Sequence, residues 1–183
     1  MPVSKKPSNE DLAFIKTQVE LVWVDGQPRF ARLIGKQGAR FAVGSLVGTV
    51  VKPGYRLLSF TKTSGERVNP REHNLVWYFV HGEWPGQELD HKDLNRLNNH
   101  PDNFRPATRS QNCANRSKRV NNTTGFKGVS YRPDCVRNPF YMQMAYINNG
   151  TLKTLASNHP TAEEAAAAYR AAMLKIHGEF ARQ

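Results

Sequence analysis

The stretch Leu89-Asp90-His91-Lys92-Asp93-Leu94-Asn95-Arg96-Leu97-Asn98-Asn99-His100-Pro101-Asp102-Asn103-Phe104-Arg105-Pro106-Ala107-Thr108-Arg109-Ser110-Gln111-Asn112 decides how this 183-residue chain is read. A short strand is expected around Gln87 to His91, followed by a polar loop rich in Asn. Thr108 and Gln111 have the spacing of a capping box, in which each side chain satisfies a free backbone N–H at a helix start. A helix is therefore expected from about Arg109 to Lys118. Neighbours on a regular strand point to opposite faces, so Asp90 and His91 can serve one site only where the strand ends or kinks. Strand and helix packed face to face would gather the Asp90 carboxylate, the His91 imidazole and the Asn112 amide. Asp and Asn offer only oxygen, the preference of Mg2+ or another hard cation such as Mn2+, and zinc is not expected. A cation so held would polarise a phosphate and stabilise the leaving oxygen, while a neutral imidazole takes a proton from the attacking water.

Upstream, Leu21-Val22-Trp23-Val24, Arg29 to Ile34, Arg40 to Val43 and Tyr55 to Phe60 are β-like runs separated by Gly-containing breaks, which predicts a small antiparallel sheet. Leu75, Val76, Phe79 and Val80 then recur at helical spacing within Glu72 to His81, and Gly82 stops that helix. Downstream, the uncharged turn-former Asn121-Asn122-Thr123-Thr124 reads as a linker. Beyond it Val129 to Arg132, Phe140 to Ile147 and Thr151 to Ala156 read as three strands, the last two joined by a tight turn at Asn149-Gly150. Thr161 and Glu164 form a second capping box, opening a helix to His177 that Gly178 ends. Its stripe of Ala165, Tyr169, Ala172, Met173 and Ile176 is expected to face the sheet. Phe140, Met142 and Met144 should meet that helix, leaving Tyr141 and Gln143 on the outer face with Arg132 and Lys153.

Composition narrows the function. Lys and Arg number 26 against 15 Asp and Glu, a net charge of +11. The imbalance is concentrated in the second half, where residues 91–183 carry 14 basic and 6 acidic side chains while residues 1–90 carry 12 and 9. Such a chain is expected to meet a polyanion. No apolar run is long enough for a membrane span, and the N-terminus lacks the apolar region of a secretion signal, so a cytoplasmic protein is expected, with no membrane partner and no protein partner evident. Two cysteines, Cys113 and Cys135, cannot form a disulfide framework, and no paired-cysteine zinc motif occurs. His73 reads as a packed helix residue, and His81, His100, His159 and His177 as solvated ones.

At Asp90-His91, Asn103 and Asn112 the sequence resembles the HNH, or ββα-metal, endonuclease family, and His73, Trp77 and His81-Gly82-Glu83-Trp84-Pro85 extend the match upstream. The resemblance implies that His91 is the general base, that Asp90 and Asn112 are metal ligands, and that Asn103 orients the base and ties down the loop. Asn112 stands where the family often has His, a variant of phage homing-type enzymes. Gly125-Phe126-Lys127-Gly128-Val129, Thr161-Ala162-Glu163-Glu164-Ala165-Ala166 and Gly178-Glu179-Phe180-Ala181 resemble the DNA-binding domain of plant ethylene-response factors, the APETALA class. That likeness implies a three-stranded sheet laid in the major groove with a helix behind it. This copy lacks the Gly usual after Leu155 and the aromatic before the capping box.

The reading is an α+β protein: a small N-terminal antiparallel sheet plus helix leading into a ββα-metal motif, then a three-stranded antiparallel sheet packed on one C-terminal helix. Residues 1–120 are expected to cut, 121–124 to link and 125–183 to bind double-stranded DNA. The expected function is a metal-dependent, strand-nicking, homing-type DNA endonuclease acting in a bacterial or phage-infected cell. Arg105, Arg109, Arg116, Lys127, Arg132, Tyr141, Gln143 and Lys153 are the expected DNA contacts. The alternative is a DNA-binding regulator whose nuclease motif is inactive. An RNA-binding protein would leave the Asp-His-Asn-Asn set unexplained.

Overall fold

The computed structural model describes residues 6–35 and 42–181. The chain divides into two compact units, Met1–Pro106 and Ala107–Gln183. This division falls well before 121–124, so residues 107–120 group with the C-terminal unit.

The first unit opens with α1 (Asn9–Gln18), an element the β-run reading passed over. Its start is fixed by a capping box in which the Ser8 hydroxyl accepts from the Asp11 N–H and the Asp11 carboxylate from the Ser8 N–H. The helix runs directly into β1 (Val19–Val24), which pairs antiparallel with β2 (Gln27–Arg32). Asp25 and Gly26 both have positive φ, 50° and 71°, the backbone twist that a two-residue hairpin turn requires. Next come β3 (Thr49–Val51) with β4 (Tyr55–Leu57), and β5 (Phe60–Thr61) with β6 (Arg67–Val68). The expected single run from Tyr55 to Phe60 is thus split between two ribbons; of the expected strand at Arg40 to Val43, residues 40–41 lie outside the described residues, and Ala42 and Val43 lead into a turn in place of a strand. α2 (Glu72–His81) ends at Gly82, whose φ of 77° supplies the left-handed cap. β7 (Glu88–His91) pairs with β8 (Phe104–Ala107). Ile15, Phe30, Leu58, Leu75 and Val76 are fully enclosed at the centre of the core that these ribbons and helices share.

The second unit begins with α3 (Arg109–Ala114), opened by the Thr108/Gln111 capping box as expected but only six residues long. The helix ends at the Asn115 cap, before Lys118. The sheet has the order β11 (Thr151–His159), β10 (Phe140–Asn148), β9 (Val129–Tyr131), all antiparallel. Asn149 and Gly150, with φ of 48° and 77°, make the hairpin turn. α4 (Ala162–His177) lies on one face of the sheet, burying Ala165, Ala166, Tyr169, Ala172 and Met173 against Met142, Met144 and Val129. At its start the Thr161 hydroxyl accepts from the Glu164 N–H at 3.2 Å, so one arm of the expected capping box is made. The protein is therefore a mixed α+β chain of small antiparallel ribbons, a helix before the Asp90-His91 strand, and a three-stranded sheet packed on a C-terminal helix.

Two expectations about side chains are overturned. Lys153 pairs directly with Tyr146 across β10 and β11, and directly opposed residues share a face. Tyr146 packs with Met142 and Met144 toward the helix, so Lys153 projects to that side, and Thr154, Ala156 and Asn158 accompany Tyr141 and Gln143. His177 is buried in place of being solvated, at the foot of α4.

Gly128 is the tightest point of this packing. Its φ is 73°, and a Cβ there would lie 2.0 Å from the Tyr169 ring. Gly128→Ala is expected to cost about 2–4 kcal/mol through overpacking and left-handed strain together. Gly125→Ala, at φ 80° with open space around it, should cost only the strain, roughly 1–2 kcal/mol. Denaturant titration of the two variants checks the contrast.

Candidate active site

β7 stops at His91, with Leu89, Asp90 and His91 all buried, so Asp90 and His91 meet the requirement that their strand end where both must serve one site. The chain then turns through a loop tied by Asp93. One Asp93 oxygen accepts from the Asn95 backbone N–H at 2.8 Å and from Asn103 Nδ2 at 2.9 Å, and the other accepts from Asn98 Nδ2 at 2.7 Å. Burial alone would raise the Asp93 carboxyl, but the donors from Asn98, Asn103 and Asn95 outweigh it and hold the group below the usual carboxylate range. Asn103 closes the loop: its Oδ1 accepts from the Asp93 N–H at 3.2 Å, its Nδ2 donates to the Asn98 carbonyl at 2.8 Å, and its carbonyl accepts from the Lys92 N–H at 2.9 Å.

An acceptor facing the His91 ring belongs to a residue that carries no assignment from the sequence. Asn99 Oδ1 lies 3.2 Å from His91 Nε2, and Asn99 Nδ2 donates to Glu72 Oε2 at 2.6 Å. Glu72 is 1% exposed and is flanked by Arg29 Nε at 3.3 Å and Arg56 Nε at 3.1 Å. A carboxylate only accepts, so it fixes the Asn99 amide with its NH2 toward Glu72 and its oxygen toward His91. Facing an acceptor, His91 Nε2 carries the ring proton, which leaves the lone pair on Nδ1. Burial lowers the His91 pKa, opposed chiefly by the Asn99 contact, and the imidazole is held toward its neutral form. For Glu72, burial raises the carboxyl, while Arg56, Asn99 and Arg29 act against it.

Around His91 the walls are aromatic. His73 stands edge-on to His91 with ring centroids 5.3 Å apart, Phe104 lies 5.2 Å away on another side, and Tyr55 is 6.2 Å off. The packed reading of His73 matches its burial, which together with the nearby His91 and Arg71 pushes its pKa well below the usual histidine value. Asp90 is buried as well, and Arg105 Nε donates to its Oδ2 at 2.9 Å.

The other expected residues are distributed as follows. Asn112 and Arg109 lie on α3, in the second unit. Arg116 follows the end of α3, so the expected shared helical face with Asn112 is not formed. Arg105 is engaged with the Asp90 carboxylate. Lys127 Nζ donates to the Ala114 carbonyl. Arg132 lies over the Tyr141 ring, 3.4 Å from its centroid, beside exposed Gln143 on the outer sheet face. Among the described residues no group of three or more His, Cys, Asp and Glu is placed to hold a metal ion. Neither Asn99 nor Glu72 carried a local signal: Asn99 is one of several loop asparagines, and Glu72 reads as an ordinary first-turn acid.

A stretch of 63 residues, 34% of the chain, is 41% identical to Protein 3.8 of Escherichia phage T7. The match covers 52% of that protein, so the chain spans about half the length of the relative it matches. No solved structure matches the chain. The family model described as HNH endonuclease matches residues 71–114, a span that contains Glu72, Asp90, His91, Asn99, Asn103 and Asn112. Over residues 71–114 the chain therefore carries a domain of the HNH endonuclease family.

Proposed function

We propose that the chain is a metal-dependent DNA endonuclease of homing type that hydrolyses one phosphodiester strand at a time, with its C-terminal unit supplying sequence-preferring contacts to double-stranded DNA. The observation that carries this reading is the buried His91, held through Asn99 in the tautomer whose Nδ1 can accept a proton. His91 takes the proton of the attacking water at Nδ1 and passes positive charge toward Nε2, where the Asn99 oxygen accepts a stronger hydrogen bond. Asn103 keeps the loop closed behind the base. Asp90 and Asn112 are the ligands that the family resemblance assigns to a divalent cation, and each offers the oxygen donor that Mg2+ or Mn2+ prefers. When bound, that cation supplies polarisation of the phosphate and stabilisation of the leaving oxygen. Arg105 fixes the Asp90 carboxylate through Oδ2 and limits its freedom to rotate.

For DNA contact, Arg132, Tyr141 and Gln143 on the outer sheet face are the side chains we assign to base edges and the backbone of the duplex, with Arg109 drawn to its phosphates. Lys153, on the helix side, is withdrawn from that face. A second reading rests on the Arg105–Asp90 ion pair: with the carboxylate already satisfied by a cation, the chain binds DNA as a regulator and does not cut.

Incubation with supercoiled plasmid separates the two. The endonuclease reading expects Mg2+-dependent conversion to open circles before any linear product, and loss of conversion in EDTA; a protein that binds the plasmid without converting it is the regulator. His91→Ala should reduce cleavage by roughly 10²–10⁴ while leaving DNA affinity unchanged. Asn99→Ala should lower the cleavage rate about tenfold, the equivalent of one hydrogen bond, with KM unaltered and the circular dichroism spectrum retained. An Asn99→Ala enzyme with full kcat would remove Asn99 from the mechanism.

A further inference from the structure

The segment between α3 and β9 was expected to be partly a linker, yet side-chain bonds to backbone hold it in a fixed shape. Asn122 Nδ2 donates to the Phe126 carbonyl at 2.8 Å, Thr124 Oγ1 to the Val129 carbonyl at 3.0 Å and Lys118 Nζ to the Gly125 carbonyl at 3.0 Å. Between this segment and α4 lies a pocket of about 340 Å³ within the C-terminal unit. Phe126 and Tyr169 contribute aromatic surface to it, and the Tyr169 ring is locked from behind by Gly128. Arg116, Lys118, Lys127 and Arg170 are the charged residues that line it, and no carboxylate does.

These features constrain an occupant. Four cations around one opening favour an anion, and an ammonium such as that of Lys118 has three donors, of which one is used on the Gly125 carbonyl. The volume is at the lower end of the roughly 300–1,000 Å³ usual for small-molecule sites, large enough for one nucleotide and too narrow for a duplex. Aromatic surface beside Arg and Lys is the combination by which single nucleotides of an unpaired strand are held, base on the ring and phosphate on the cations. The pocket lies against α4, on the Met142 and Met144 side of the sheet, whereas Tyr141, Gln143 and Arg132 point the other way. A duplex on the outer sheet face would leave it open.

We propose that this pocket binds a nucleotide 5′-phosphate, free or within an unpaired DNA strand, separately from the duplex-binding face. The site does not depend on the cleavage chemistry, and a catalytically silent protein would retain it.

The test uses the full-length protein at low salt, titrated with dAMP, inorganic phosphate and a short oligo(dT), followed by amide NMR shifts and by calorimetry. Shifts are expected at Phe126, Lys127 and Arg170 with dAMP, with oligo(dT) or with both, the stronger binder identifying the natural source. Arg170→Gln should weaken that binding about tenfold, as expected for one lost charge-assisted contact. Arg137→Gln, an equal charge change at an exposed position outside the pocket lining, should weaken it less than twofold. Equal weakening by the two variants would reduce the effect to net charge and overturn the proposal. So would shifts confined to Tyr141 and Gln143, no binding by any ligand, or phosphate binding as tightly as dAMP, which would make the pocket an anion site without a base.

Discussion

A single buried carboxylate organises the N-terminal unit. Glu72, 1% exposed, meets Arg29 from β2, Arg56 from β4 and Asn99 from the loop after β7. Four segments distant in sequence are thereby held to one pair of oxygens. Leaving such a charge without partners in the interior costs several kcal/mol, which favours the arrangement in which the two guanidinium groups and the Asn99 amide arrive together. The cost of burial is visible in the upward pressure on its pKa, and these three partners oppose it. The orientation of the Asn99 amide against His91 is therefore set by charged groups that do not themselves touch the imidazole.

That dependence explains why part of the site could be read from sequence and part could not. Asp90-His91, the Asn-rich loop and the Thr108/Gln111 cap are local patterns, and the strand end at His91, the Asp93–Asn103 loop closure and the start of α3 follow from neighbouring residues. Glu72 and Asn99 are 27 positions apart and acquire meaning only when α2 packs beside the loop. α1 was passed over because only Leu12 and Ile15 are buried along it, too few for a visible apolar stripe, although Ser8 and Asp11 gave the cap. Register explains Lys153: a strand of expected length Thr151 to Ala156 says nothing of which face each residue takes until its partner in β10 is known. His177 looked solvated because it ends a helix, and its burial depends on tertiary packing that no local pattern shows.

The positive charge of the second half also resolves into different roles. Arg105 neutralises a buried carboxylate, Lys127 and Lys118 donate to carbonyls that shape a loop, and Arg132 lies flat on an aromatic ring. A tally of basic residues foresaw a polyanion partner but treated these side chains as interchangeable. Arginine's planar fork suits the first and last of these positions in ways a lysine would not.

Among the described residues each strand pairs with a neighbour along the chain, which bears on how the protein forms. β1 pairs with β2, β3 with β4, β5 with β6, β7 with β8, and β9, β10 and β11 follow in order. Contact order within the sheets is consequently low, and each ribbon closes over a short loop whose entropic cost is small. The β10–β11 hairpin, nine residues a side about a two-residue turn, can zip without waiting for the rest of the chain. A polypeptide assembled from such self-contained ribbons can acquire native pairings progressively as it leaves the ribosome, and leaves to the last step the meeting of distant groups around Glu72.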